Sequence, residues 1–188
     1  MAGGTANRFW PVSRETKPKQ FLDISGTGKS FVRTTYERFS EIVPKENIII
    51  VTLTRFAELV HTQIPELPEG NLLLEPYARN TAPCIAYATY SILKRNPEAT
   101  VIATPADHII TDEDKFKAAI LKMMEYAENK PALMTLGIHP TNPDTDYGYI
   151  QAPRNKDNAD ADIPLKVKTF TEKPDKALAE VFCKTGEF

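Results

Sequence analysis

The stretch NIIIVTLTRFAELVHTQIPELPEGNLLLEP, residues 47–76, decides the fold class. Its first seven residues, 47–53, form a short β-branched run without polar alternation, the pattern of a strand covered on both faces. Thr54 then stands as an N-cap, and Phe56, Leu59, Val60 and Ile64 recur at helical spacing. NLLLEP, residues 71–76, reads as a second strand that Pro76 stops. A strand, a helix and a strand in succession are the building unit of a parallel sheet.

The same alternation continues on either side. Ser30 caps a predicted helix whose Val32, Tyr36, Phe39 and Val43 fall on one stripe. A further helix is expected from about Asn80, with Ala82, Ile85, Ala86, Thr89, Ile92 and Leu93 facing the core. ATVIATPADH, residues 99–108, is a predicted strand running straight into polar residues. Asp112 caps a helix that buries Phe116, Ile120, Met123, Met124 and Ala127. ALMTLGI (132–138), YGYIQA (147–152) and LKVKTFTEK (165–173) supply three more expected strands. The interval 153–164 is polar with Pro at both ends and reads as a solvated loop, and the tail from Asp175 reads as helix. There is no internal repeat. The expected class is α/β, a mixed but mostly parallel sheet flanked by helices. In such sheets ligands bind beyond the carboxyl ends of the strands. The polar clusters Glu75–Thr81, Pro105–His108 and Glu172–Lys173 all sit at such ends.

With 188 residues, 41% hydrophobic and 26% charged, the composition is that of an ordinary globular domain. A net charge of −2 gives no global electrostatic case for nucleic acid or an anionic membrane as partner. Residues 1–38 nevertheless hold seven Lys/Arg against three acids, so positive charge gathers near the start. Cys84 and Cys183 lie far apart without metal-ligand spacing and read as reduced, structural thiols. No apolar run approaches the ~20 residues of a membrane span, and no signal-peptide order is present. A cytoplasmic location is expected, with the oligomeric state, homo-oligomer included, left open.

The basic surplus lies in MAGGTANRFWPVSRETKPKQF, residues 1–21. Gly3 and Gly4 permit close backbone approach to a ligand and positive φ, and successive backbone N–H groups in such a turn cradle an anion. Arg8 adds a planar fork of donors and Lys19 a mobile point charge. Pro11 and Pro18 stiffen the segment, and Trp10 is expected to pack and fix it. The phosphate-loop pattern G-x-x-x-x-G-K-[ST] is absent, so on these residues alone a basic surface turn is an equal reading.

The order of motifs adds to this. AGGTANRFWPVSRETKPKQF, LEPYARNTAP, PADH, YGYI and FTEKP together resemble the sugar-phosphate nucleotidyltransferases. More narrowly, FWP-x-SR and EP-x-x-RNTAP resemble the mannose-1-phosphate guanylyltransferase branch. The resemblance covers essentially residues 1–185 and implies a Rossmann-like, GT-A-like nucleotidyltransferase fold. It also implies that residues 1–188 are the N-terminal part of one catalytic domain, incomplete at both ends. The family carries a buried strand just before the glycines and a second acidic metal-binding segment downstream. It usually reads G-G-x-G-x-R in the loop, where Ala6 here replaces the third glycine.

The resemblance assigns roles residue by residue. Gly3, Gly4, Arg8 and Lys19 would hold the triphosphate of GTP, with Arg8 and Lys19 neutralising the leaving pyrophosphate. Arg79, Asn80 and Thr81 would read the purine, although Asn80 also fits a plain N-cap. Asp107 would bind Mg²⁺, a hard cation that keeps several waters, with His108 beside it as a supporting residue. Gly148, Glu172 and Lys173 would take mannose 1-phosphate; a bulge glycine and a surface ion pair are the plainer readings. The implied reaction is in-line attack of the sugar phosphate on the α-phosphorus of GTP, giving GDP-mannose and pyrophosphate. Two alternatives remain: the same chemistry on another nucleotide or sugar 1-phosphate, or a non-catalytic nucleotide-sugar-binding regulatory module.

Overall fold

The structure is a computed structural model that describes residues 1–4, 9–152 and 164–188. It divides into two compact units, Met1–Met124 and Glu125–Phe188.

In the first unit the decisive stretch folds as its sequence predicts. β1 (Ile50–Leu53) is buried at all four positions and pairs in parallel with β2 (Leu72–Glu75), Ile50 opposite Leu72. The helix between them is α2 (Ala57–Gln63), entered through a 3₁₀ turn over Thr54–Phe56. Thr54 does not cap it; its hydroxyl donates to the Glu75 carbonyl at 3.2 Å and ties the ends of the two strands together. Ser30 does cap α1 (Phe31–Ser40), accepting from the Arg33 amide. Val43 falls beyond the end of that helix.

Residues 1–2 take a central place beside β1. The Ala2 amide donates to the Val51 carbonyl at 2.7 Å, and the Thr52 hydroxyl donates to the Ala2 carbonyl at 2.9 Å. On the other side Met1 donates to the Thr104 carbonyl at 2.8 Å and accepts from the Ala106 amide at 3.0 Å. That is the slanted alternation of a parallel ladder. Hydrogen bonds therefore run in the order β2, β1, residues 1–2, residues 104–106. Residues 1–4 form no strand of their own, yet Met1 and Ala2 carry ladder bonds on both sides. Ala2, Phe21, Leu53, Phe56, Val60 and Ile64 anchor the core beneath this seam. Each large side chain so buried contributes on the order of 1.5–3 kcal/mol.

Other expectations fail in an informative way. Residues 99–108 and 132–138 form no strand, and Leu133 and Ile138 are exposed. Within 99–108, Thr104 and Ala106 bond to Met1, and two ladder bonds do not make a strand of the segment. α3 (Thr81–Leu93) forms, but of its predicted apolar stripe only Ile85 and Ile92 are half-buried, and Cys84 is the helix's one buried residue. Trp10 does not pack; it is 77% exposed. α4 (Glu113–Asn129) is capped by Asp112 as expected, with Ile120 its buried residue. Among the described residues no helix is long and apolar enough to cross a membrane.

The second unit contains the hairpin of β3 (Gly148–Gln151) and β4 (Thr169–Glu172), antiparallel with Gly148 opposite Glu172. α5 (Lys176–Thr185) follows, capped by the Asp175 side chain on the Leu178 amide at 2.9 Å. The loop expected over 153–164 lies almost wholly outside the described residues.

A contrast of two substitutions tests this distribution of burial. Ile64→Ala, at a fully buried position, should cost about 2–5 kcal/mol in urea unfolding. Leu133→Ala should stay within about 0.5 kcal/mol. A Leu133 cost equal to that of Ile64 would mean that residues 132–138 are packed after all.

Candidate active site

The glycine turn starts from the seam. Gln20, buried in a 3₁₀ turn over Lys19–Phe21, donates both amide hydrogens, to the Ala2 carbonyl at 2.7 Å and to the Gly4 carbonyl at 3.0 Å. Gly3 and Gly4 do not use positive φ, contrary to expectation; that region holds Gly26, Gly28, Gly70 and Gly186. Space is what they supply. A Cβ on Gly3 would stand 3.3 Å from the Glu75 carboxylate, whereas one on Gly4 would meet no described residue within 4 Å. Among the described residues the turn is thus tight at Gly3 and open at Gly4, where a ligand can reach the backbone. Arg8 and Ala6 lie outside the described residues.

Lys19 and Asp107 meet. Lys19 Nζ stands 2.5 Å from Asp107 Oδ2, with both side chains largely covered. The two arrive from different directions, Lys19 beside Gln20 and Asp107 beside Ala106, and both neighbours are bonded to residues 1–4. The seam therefore delivers a cation and a hard-oxygen acid to one point next to the glycines. His108 Nε2 is 4.0 Å from the other Asp107 oxygen and its side chain is exposed, as befits a neighbour. Among the described residues no group of three or more His, Cys, Asp or Glu could enclose a metal. The donor set fits only a cation that shares its shell with water and substrate oxygens, which is how Mg²⁺ is commonly held.

At the end of β2 the chain turns into α3. Arg79, Asn80 and Thr81 are exposed there. Asn80 occupies the N-cap position without any side-chain bond to the helix, at φ 65° and ψ −167°. Such a conformation is nearly confined to glycine and costs about 1–3 kcal/mol. The plain N-cap reading does not hold for its side chain. Glu75, which sequence reasoning saw only as the edge of a polar cluster, is buried beside Gly3 and Cys84. Burial and the neighbouring Glu75 carboxylate push the Cys84 thiol up to about 11, so it stays protonated at neutral pH. Both cysteines are free thiols.

The second unit carries the remaining predicted residues. A Cβ on Gly148 would come within 2.4 Å of Phe170 Cζ and 3.0 Å of Glu172 Oε2. The cross-strand ring and carboxylate lie over the glycine, so packing within the hairpin already accounts for it. Glu172 and Lys173 form the expected pair, 3.5 Å apart and more than half exposed. Lys173 is held at φ 45° while its amide donates to the Tyr147 carbonyl at 3.2 Å. Among the described residues, Asn80 and Lys173 are the two non-glycine positions with positive φ. Both are residues to which the resemblance assigns a role.

Comparison with known proteins bears on the family and the fold. Residues 1–188 match the model of the Nucleotidyl transferase family. The chain is 40% identical to a mannose-1-phosphate guanylyltransferase of Salmonella montevideo and 36% identical to one of Escherichia coli strain K12. Each comparison covers 100% of this chain and 40% of the relative. The crystal structure of a "mannose-1-phosphate geranyltransferase" from Thermus thermophilus superposes with a TM-score of 0.85 at 32% identity. It covers 99% of this chain, which spans 52% of the Thermus chain. The mannose-6-phosphate isomerase of Helicobacter pylori superposes with a TM-score of 0.78 at 31% identity, covering 93% of this chain and 63% of that one. The chain spans 40% of the length of the two curated relatives.

Asn80→Gly separates strain from structure. Relieving the backbone should leave stability unchanged or raise it by up to about 2 kcal/mol in urea unfolding. A loss above about 1 kcal/mol would show that the asparagine side chain carries a structural bond.

Proposed function

The chain belongs to the nucleotidyl transferase family, and from that premise we propose that it makes GDP-mannose and pyrophosphate from GTP and α-D-mannose 1-phosphate. The observation that carries this reading is the Lys19–Asp107 pair, 2.5 Å apart beside the Gly3–Gly4 turn. In the reaction a phosphate oxygen of the sugar 1-phosphate attacks the α-phosphorus in line, and pyrophosphate leaves. The attacking oxygen is already anionic at neutral pH, so no general base is required. Positioning and charge neutralisation carry the catalysis.

Lys19 exchanges Asp107 for the triphosphate and offsets the charge that develops on the leaving group; Arg8 shares that role by resemblance. Asp107 would hold a Mg²⁺ ion, which would supply Lewis-acid polarisation at the α-phosphorus. Arg79, Asn80 and Thr81 contact the base. The Glu75 carboxylate beside Gly3 supports guanine in particular, since two acceptor oxygens match the adjacent N1–H and N2–H donors of that base. Glu172 accepts from sugar hydroxyls, Lys173 binds the sugar phosphate, and Gly148 backs them. We read residues 1–188 as part of one catalytic domain working in the cytoplasm; the two free thiols support that setting.

Incubating the protein with Mg²⁺ and a panel of nucleotides and sugar 1-phosphates, with pyrophosphate release as readout, tests the proposal. GTP with mannose 1-phosphate should outrun ATP, UTP, dTTP and glucose 1-phosphate. Equal rates for all bases would remove the guanine assignment. No release with any pair, and no GTP binding in calorimetry, would remove the activity itself.

Lys173→Ala should raise KM for mannose 1-phosphate by roughly 10- to 150-fold, the range for losing one charge-assisted contact. KM for GTP should hardly change. An equal effect on both substrates would take Lys173 out of the sugar-phosphate site.

A further inference from the structure

We propose that Gln20 is a positioning residue for the triphosphate: it turns the glycine backbone into a preformed anion cradle and sets its distance from Lys19. This rests on the reading of Gly3, Gly4 and Lys19 as the triphosphate site. Gln20 is 3% exposed, and its side-chain nitrogen donates to the carbonyls of Ala2 and Gly4 at 2.7 and 3.0 Å. A carboxamide nitrogen has two hydrogens, so its donor capacity is fully spent on this turn. The Ala2 oxygen also accepts from the Thr52 hydroxyl at 2.9 Å, which occupies both of its lone pairs.

The chemical point is the sign of the groups that are hidden. A carbonyl oxygen carries partial negative charge and repels phosphate; an amide N–H attracts it. By holding the oxygens of residues 2 and 4, Gln20 turns the repelling groups of the turn into the protein. The amides of Gly3 and Gly4 bond to no other described residue. Glutamine is suited because it donates without adding charge, so the positive charge at the turn is left to groups such as Lys19. A glutamate at this position would set oxygen against oxygen.

The mounting of the turn strengthens the inference. Lys19, Gln20 and Phe21 form one 3₁₀ turn. Lys19 reaches Asp107, Gln20 reaches the carbonyls of Ala2 and Gly4, and Phe21 is buried with its ring 5.7 Å from that of Phe56. The Phe21 carbonyl also accepts from Gln63 at 3.0 Å. Three consecutive residues thus tie the cation, the cradle and the core to one short piece of backbone.

The test compares wild type with Gln20→Met, of similar length but without donors, and Gln20→Glu. Calorimetry with inorganic tripolyphosphate and with GTP, each variant held well below its own melting temperature, is the primary readout. Gln20→Met should weaken both ligands about tenfold and Gln20→Glu more, while KM for mannose 1-phosphate stays within about twofold. Should Gln20→Met not fold, Gln20→His, which keeps one donor at comparable reach, should give an intermediate loss. A folded variant that binds tripolyphosphate as wild type does would overturn the role of Gln20 alone. An equal loss for both substrates would also overturn it, since general loosening is not confined to the triphosphate. Wild type that binds neither tripolyphosphate nor GTP would instead overturn the reading of the site on which the inference rests.

Discussion

The architecture of the first unit depends on a seam two residues wide. Met1 and Ala2 carry ladder bonds to β1 on one side and to residues 104–106 on the other. Each bond contributes on the order of 1 kcal/mol net. Their geometric effect is larger than that figure, because the glycines, the ammonium and the carboxylate are all attached to the seam within a residue or two. Gly3 and Gly4 follow it directly, Asp107 follows Ala106, and Lys19 precedes Gln20. A shift of one residue in this ladder would carry all three to different places together.

Away from the seam the molecule is unevenly covered. α3 is apolar around its circumference, yet Tyr87, Tyr90 and Leu93 face outward, and Leu133 and Ile138 are exposed as well. The apolar content that periodicity reads as core is therefore only partly used as core among the described residues. The alternation of strands and helices survives because it is set locally, by caps such as Ser30 and Asp175 and by β-branched runs such as Ile50–Leu53.

How far the sequence could be read follows from the same division. The unit over residues 47–76 was legible because both strands lie close together in the chain and find each other. Residues 99–108 were equally strand-like in composition, but composition cannot say whether ladder partners exist, and among the described residues their ladder bonds run to Met1 alone. The site residues were legible as motifs. The pairing of Lys19 with Asp107, 88 positions apart by their numbers, was not, since no local pattern encodes it. Gln20 was hidden between a lysine and a phenylalanine in an otherwise basic segment; only its two bonds to the glycine turn reveal it. Asn80 looked like a helix cap, and its side chain makes no bond to the helix.

The seam also has a history during synthesis. Ala2 precedes Thr52 by 50 positions, and Met1 precedes Thr104 by 103. A chain made at about 5–20 residues per second therefore exposes residues 1–4 for several seconds before their outer partners emerge. β1 and β2, only 22 positions apart in register, can pair well before then. The glycine turn, though made before every strand it leans on, is thus among the last parts of this unit to gain its full support.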